Sequence, residues 1–383
     1  MSEYDDELSQ LVARLNRAAP SHQKATPRTP ESTASLEAVL HRAAARTATD
    51  ILLIAGVTPM FRINGNLVSA GGSPLDHEDV RGHVLPLLEP WQLEELQKRK
   101  SVDLSFMREN LGRFRVNIHY QRGTLAASIR LLPSRIPSLE SLHLPPTLAR
   151  LADRRQGLVL LTGPTGCGKT STLAALIDIV NTRRAAHVVT IEDPIEYQHA
   201  NRSSIIEQIE VGRDTPDFAV TLRSVMRQTP DVILVGEMRD AETMAAALTA
   251  AETGHLVLST LHTNDAIQAV SRILDSFPTA NQPQIRQQLS LSLAAVIAQQ
   301  LLPGVDNIAR WPATEVMIAT DAVRALIRKG DDHQLRSQIS VGKSEGMMTM
   351  EQSLAELVRL NRITRDTAFA HCFRADDLQR YLA

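Results

Sequence analysis

The sequence predicts an α/β protein: a mostly parallel β-sheet covered by helices on both faces, preceded by a smaller α+β domain. Three observations carry this reading. Short apolar runs, Leu158–Leu161, Val188–Ile191, Val232–Val235 and Leu256–Ser259, recur with helical stretches such as Asp217–Arg227 and Ala241–Thr253 between them. Runs that are apolar throughout belong to strands buried on both faces. A glycine-rich turn, Gly163-Pro164-Thr165-Gly166-Cys167-Gly168-Lys169-Thr170, joins the first run to a helix-like stretch from Ser171 to Val180. Upstream, a hairpin signal at Asn64-Gly65 and three strand candidates, Val102–Met107, Arg113–Tyr120 and Thr124–Leu132, mark a separate mixed domain.

The 383 residues give room for two or three domains. A formal charge of −2 does not favour nucleic acid or an anionic membrane as a direct partner. No uninterrupted apolar segment reaches the roughly 18–20 residues of a bilayer span. Met1 to Arg17 is charged throughout and lacks the apolar centre of a signal peptide, so a cytoplasmic location is expected. The two cysteines, Cys167 and Cys372, cannot build a four-thiolate zinc site.

In chain order, Ser2 to Leu15 places Leu8, Leu11, Val12 and Leu15 on one face of a short helix. Ala18 to Ser35, with three prolines among Ser, Thr and Lys, reads as a linker, so residues 1–35 form a polar extension. Residues 36–133 form the α+β domain, with a helix over Leu36–Ala45, a strand over Asp50–Ile54, the hairpin, helices near Asp76–Leu88 and Pro90–Arg99, and the three later strands. Prolines between Pro133 and Pro146 make 134–148 a hinge, 149–281 is the sheet domain, and 282–383 reads as almost wholly helical, with an amphipathic run from Met347 to Leu360.

The glycine turn has the strand-loop-helix context that the phosphate-loop pattern G-x-x-x-x-G-K-[ST] requires. Its glycines let successive N–H groups converge on phosphate oxygens, and the helix behind it adds partial positive charge. Lys169 is placed to reach the β- and γ-phosphates, and Thr170, followed by Ser171, to ligate Mg²⁺. Asp231 to Val235 delivers Glu237 at a strand's carboxyl end, where open α/β sheets bind ligands, so Glu237 is the second expected Mg²⁺ contact. Thr190 to Glu196 crowds Glu192, Asp193 and Glu196 after a strand. Such repulsion suggests a function, and a base aligning the attacking water is assigned to Glu196, with Glu192 second and Glu237 third. His255 and His262 bracket another strand, and each could contact phosphate or orient a carboxylate.

Taken together, Glu192-Asp193-Pro194-Ile195-Glu196, Gly236-Glu237-Met238-Arg239-Asp240 and the Thr253–Thr263 stretch make the chain resemble the secretion ATPase superfamily. With Pro59–Gly65, Arg113–Asn117 and Ala322–Lys329, it is most similar to the twitching-motility retraction ATPases, the PilT family. The resemblance implies a RecA-like core, a PAS-like N-terminal domain, a helical C-terminal region, and an ATP-driven, Mg²⁺-dependent hexamer. Its partners would be the pilus assembly machinery and a platform protein at the inner face of the inner membrane. It further implies Arg115 and Arg130 reaching a neighbour's nucleotide, with Arg239 and Arg272 as further phosphate contacts. Ala325 and Lys329 depart from the family's Asn and Glu, and Thr49-Asp50-Ile51-Leu52 lacks its histidine. The alternatives are a related secretion or DNA-uptake motor, a non-hydrolysing accessory paralogue, and a DNA-translocating ATPase.

Overall fold

The computed structural model describes residues 35–63, 65–133, 135–306 and 308–383. The helix expected over 2–15, the linker over 18–34 and the hairpin residue Asn64 lie outside the described residues. The chain divides into two compact units, with the boundary between Leu131 and Leu132.

The first unit is a six-stranded antiparallel sheet in the order β3-β2-β1-β6-β5-β4, where β1 is Asp50–Ile54, β2 Met60–Ile63, β3 Asn66–Ser69, β4 Ser101–Arg108, β5 Gly112–Gln121 and β6 Thr124–Leu131. Helices α1 (Leu36–Ala45), α2 (His77–Val84) and α3 (Pro90–Arg99) supply Val39, Leu40, Val80, Val84 and Leu96 to one core with Ile51, Phe61 and Phe114. Their starts are encoded locally: the Ser35 hydroxyl accepts from the Ala38 amide, Asp76 and Asp79 form a reciprocal capping box, and Pro90 occupies a first-turn position. Along β5, Phe114, Val116 and Ile118 are fully buried, while Arg113, Arg115, Asn117 and His119 alternate with them on the opposite face. The β2–β3 hairpin pairs Ile63 with Asn66, and Gly65 takes φ +84° in its turn.

The second unit holds a seven-stranded sheet in the order β13-β12-β7-β11-β10-β8-β9. The parallel members are β7 (Gly157–Thr162), β8 (His187–Glu192), β9 (Ile205–Glu210), β10 (Val232–Val235), β11 (Leu256–Leu261) and β12 (Leu293–Pro303), with β13 (Arg310–Ile318) antiparallel at one edge. Both faces are covered. Leu158 and Leu160 of β7 enter one core with Met244 and Val270, whereas Val159 and Leu161 enter the other with Leu173 and Ile177.

The structure corrects the wholly helical reading of 282–383. After α9 (Gln282–Ser292) the chain forms β12 and β13, which extend the sheet instead of adding helices. The stretch Leu293-Ala294-Ala295-Val296-Ile297-Ala298 is buried on both faces, so it shows no alternation, and its Leu and Ala content favours helix locally. Pairing with β7 and β13 overrides that preference. The strand β9 was also not anticipated, because Glu207, Gln208 and Glu210 break its apolar run.

The hinge reading is corrected too. Leu139, Leu144 and Leu148 are buried in the core that contains Val159 and Leu161, so residues 135–148 are packed on the second unit. Prolines stop this segment from pairing as a strand, but its leucines still bury apolar area.

At the C-terminal end, Glu351 of α12 (Met350–Arg359) is fully buried, pairs with Arg336, and accepts from the Phe373 and Arg374 amides, both at 3.0 Å. Glu351→Ala strands both amides and leaves Arg336 with the more distant Asp377, at 3.6 Å, and should cost about 3–5 kcal/mol in urea denaturation.

Candidate functional site

The phosphate loop leaves β7 at Gly163 and enters helix α5 (Lys169–Arg183). Gly163 has φ +142°, and a Cβ there would lie 2.2 Å from the Gln299 carbonyl oxygen and 2.8 Å from Cys167 Sγ. Gly168, the α5 N-cap, has φ +95°. These two positions admit only glycine. Pro164, Thr165 and Gly166 form the exposed rim of the loop, while Cys167 is buried beneath it. Burial pushes the Cys167 thiol up against the opposing charge of Lys169, which suits a filler rather than a nucleophile.

Lys169 is 8% exposed, and its ammonium donates to the carbonyls of Gly163 at 2.7 Å and Pro164 at 3.0 Å. Burial lowers its pKa, while Cys167 and Glu237 act in the opposite direction. Glu237 therefore shares the electrostatic environment of Lys169. Its carboxylate is paired with Arg239 and lies 3.5 Å from His262 Nε2. Thr170 stands beside Lys169 in the first turn of α5. A hydroxyl and a carboxylate at this strand edge are the hard oxygen donors that Mg²⁺ takes.

The acidic stretch is divided by the structure. Glu192, at the end of β8, is buried and accepts from Thr190 Oγ1 at 2.7 Å and Gln208 Nε2 at 3.1 Å. Burial raises its pKa, opposed by those bonds and one from the Glu196 amide. Glu196 itself is half-buried. The next residue, Tyr197, joins its hydroxyl to Ser171 Oγ at 2.8 Å and so ties the acidic stretch to α5.

The two histidines part company. His262 lies just beyond β11 at the carboxyl end, where the Thr162 and Thr263 hydroxyls meet at 2.6 Å and join the histidine loop to the start of the phosphate loop. His255 lies at the amino end of the same strand, its Nδ1 2.9 Å from the Ala250 carbonyl oxygen. Because β11 and β7 are parallel, with Leu256 opposite Gly157 and Leu261 opposite Thr162, a full strand of about 20 Å separates His255 from the loop. The expected phosphate contact by His255 is thus corrected: the sequence shows that a strand is bracketed, but not which bracket faces the ligand. Arg272 is exposed on α8 (Ala266–Asp275).

Arg115 and Arg130 belong to the first unit. The register puts Arg62, Asp50, Arg130, Arg115 and Ser105 in one row across five strands. Arg130 Nε donates to Asp50 Oδ1 at 2.8 Å, and Arg62 Nε is 3.7 Å from the other oxygen. Three guanidiniums and one carboxylate share the row, with Arg115 directly opposite Arg130, an arrangement that costs stability unless an anion offsets it.

Residues 108–366 match the family described as type II/IV secretion system protein. The chain belongs to that family. It is 39% identical over 343 residues to the type IV pilus ATPase PilU of Pseudomonas aeruginosa, covering 90% of each chain. It is 42% identical to the pilus retraction ATPase PilT of the same organism, over 84% of this chain and 93% of that one. A solved pilus retraction motor PilT with bound ADP matches at TM-score 0.85 and 41% identity, over 90% of this chain and 98% of that chain. Within the secretion ATPases the protein is thus a member of the PilT/PilU pilus retraction branch, with the α/β fold of that motor.

Sequence reasoning missed Tyr197, Gln208 and Glu315, none of which falls in a phosphate-binding pattern, and the bond from Thr263, at the end of the Thr253–Thr263 stretch, to Thr162. Glu315 of β13 is 1% exposed and accepts from the Ala266 amide at 2.9 Å, fixing the start of α8 behind the histidine loop. Burial pushes its pKa up to about 7, with Asp265 and Glu351 adding and the Ala266 amide and Arg336 opposing. The folded chain therefore binds more protons than the unfolded one between about pH 4.5 and 7, and stability falls as pH rises through that window. Thermal unfolding across pH 5 to 8 should show a loss in the wild type that Glu315→Gln lacks, on the order of 3 kcal/mol.

Proposed function

We propose that the protein is a motor ATPase that works as a homo-hexameric ring at the inner face of the inner membrane. ATP hydrolysis would drive type IV pilus retraction through a platform protein. The observation that carries the ring is the row of Arg62, Asp50, Arg130 and Arg115, which holds more positive than negative charge on the sheet face away from the first unit's core. A neighbour's triphosphate would supply the missing anion, and fingers of this kind contribute on the order of 10³–10⁵ in rate.

In this reading the N–H groups from Gly163 to Gly168 and the α5 N-terminus hold the β-phosphate, and Lys169 turns from loop carbonyls to the γ-phosphate. Mg²⁺, held by Thr170 and, directly or through water, by Glu237, would neutralise charge on the phosphates. Glu196 accepts the proton of the attacking water. Its partial exposure favours it over Glu192, whose oxygen is engaged by Thr190 and Gln208. His262 and Arg239 hold the Glu237 carboxylate in place, and Arg272 remains an outer phosphate contact.

A companion motor of the PilU kind is the second reading. It is favoured by Ala325 and Lys329, which replace the retraction signature's residues on α10 (Asp321–Lys329). Deleting the gene tests retraction against extension: surplus pili without surface movement supports retraction, and loss of pili overturns it.

Lys169→Ala should abolish phosphate release, whereas Glu196→Gln should retain ATP binding and lose turnover. Persisting hydrolysis in Glu196→Gln would transfer the base to Glu192 or Glu237. Mixing Lys169→Ala with Arg130→Ala protein, each inactive alone, should restore part of the activity, because some boundaries then combine an intact cradle with an intact arginine. No recovery in mixtures would exclude the shared site.

A further inference from the structure

The phosphate loop has a second support that no nucleotide-binding pattern includes. Strand β12 runs beside β7, pairing Ile297 with Leu161 and Ala298 with Thr162, so Gln299 falls alongside Gly163. The two backbones touch, which is why a Cβ at Gly163 would meet the Gln299 carbonyl oxygen. The Gln299 side chain is buried, at 3% exposure, and both ends of its carboxamide are used. Nε2 donates to the Cys167 carbonyl at 2.7 Å, and Oε1 accepts from the Thr172 hydroxyl at 2.9 Å. Thr172 Oγ1 is also 3.1 Å from the Gly168 carbonyl oxygen, and a Cβ at Gly168 would lie 2.9 Å from Gln299 Nε2.

A trans peptide is planar, and its C=O and N–H point in opposite directions. Holding the Cys167 carbonyl toward β12 therefore aims the Gly168 N–H away from β12. The neighbouring turn of α5 is held by the same carboxamide through Thr172. We propose that Gln299 is a positioning residue of the phosphate loop, which orients the Cys167–Gly168 peptide so that its N–H faces a bound phosphate. This rests on the reading that Gly163–Thr170 cradles a nucleotide. It adds that the cradle is set from β12, a strand far along the chain. Gln299 touches no reacting atom, so its contribution falls on nucleotide affinity before it falls on the chemical step.

Gln299→Met keeps the length of the side chain and removes both hydrogen bonds. In the full-length protein, a fluorescent ADP analogue should bind this variant about tenfold more weakly than wild type, the effect of the buried Cys167 carbonyl losing its donor. The KM for ATP should rise by a similar factor, and kcat should change less. Thr172→Val removes one of the two ties without enlarging the side chain and should weaken binding in the same direction. Combined with Gln299→Met, it should add less than its separate effect, because both changes cut the same link. A role limited to stability would instead lower the unfolding midpoint and leave KM unchanged. Wild-type affinity in Gln299→Met, or in Thr172→Val should the first variant not fold, overturns the assignment. Failure of wild type to bind the ADP analogue overturns the phosphate-loop reading and this inference together, whereas normal wild-type binding with unaffected variants overturns only this one.

Discussion

The interaction on which the rest depends is the close approach of two backbones, β7 and β12, where the phosphate loop begins. At Gly163 there is no room for even one carbon atom between them. That contact fixes where the loop leaves the sheet, and the positive φ angles of Gly163, Gly166 and Gly168 then fold it over the N-terminus of α5. A loop made of backbone amides cannot hold its shape by side-chain packing of its own. It takes its shape from neighbours: the buried Lys169 ammonium bonded to two loop carbonyls, and the Thr162–Thr263 hydroxyl pair at its base. The parallel sheet supplies these neighbours because its strands all end at one edge.

Charge is arranged on a different principle. Two carboxylates near the loop are given partners: Glu237 by Arg239 and His262, and Glu192 by Thr190, Gln208 and a backbone amide. The arginine row of the first unit is not balanced in this way, since a single Asp50 serves Arg62, Arg130 and Arg115. A row with this imbalance of charge is costly unless an anion lies against it.

How much of this was legible in the sequence followed from how local each determinant is. Helices Leu36–Ala45 and Pro90–Arg99, the strand Asp50–Ile54 and the phosphate loop could be placed closely, because caps, prolines, glycines and short apolar runs act within a few residues. The strand Leu293–Pro303 was not legible: its Ala, Leu and Gln content suits a helix, and only its partners β7 and β13 make it a strand. Residues 135–148 were misread for a related reason, since prolines announce a break in regular structure but say nothing of leucines buried between them. Lys169 and Glu237, which the structure brings near one another, both fall in patterns readable within a few residues. His255 could not be excluded, because only the parallel pairing of β11 with β7 tells which end of the strand holds the loop.

The same long-range character links the C-terminal part to the sheet edge that carries the phosphate loop. From the phosphate loop, Thr162 meets Thr263, and Thr263 leads within three residues to Ala266, whose amide is held by Glu315 of β13. β13 pairs with β12 along its whole length, and Thr314 on it accepts no slack, its amide donating to Ser353 of α12. Next to Ser353 in that helix, Glu351 closes onto Arg336 and the Phe373 and Arg374 amides. The Ala266–Glu315 and Thr314–Ser353 hydrogen bonds are buried, as is the Glu351 carboxylate, and such groups are expensive to leave unpaired. Through Glu315 and Thr314, β13 ties the start of α8, three residues beyond Thr263, to the C-terminal helix α12.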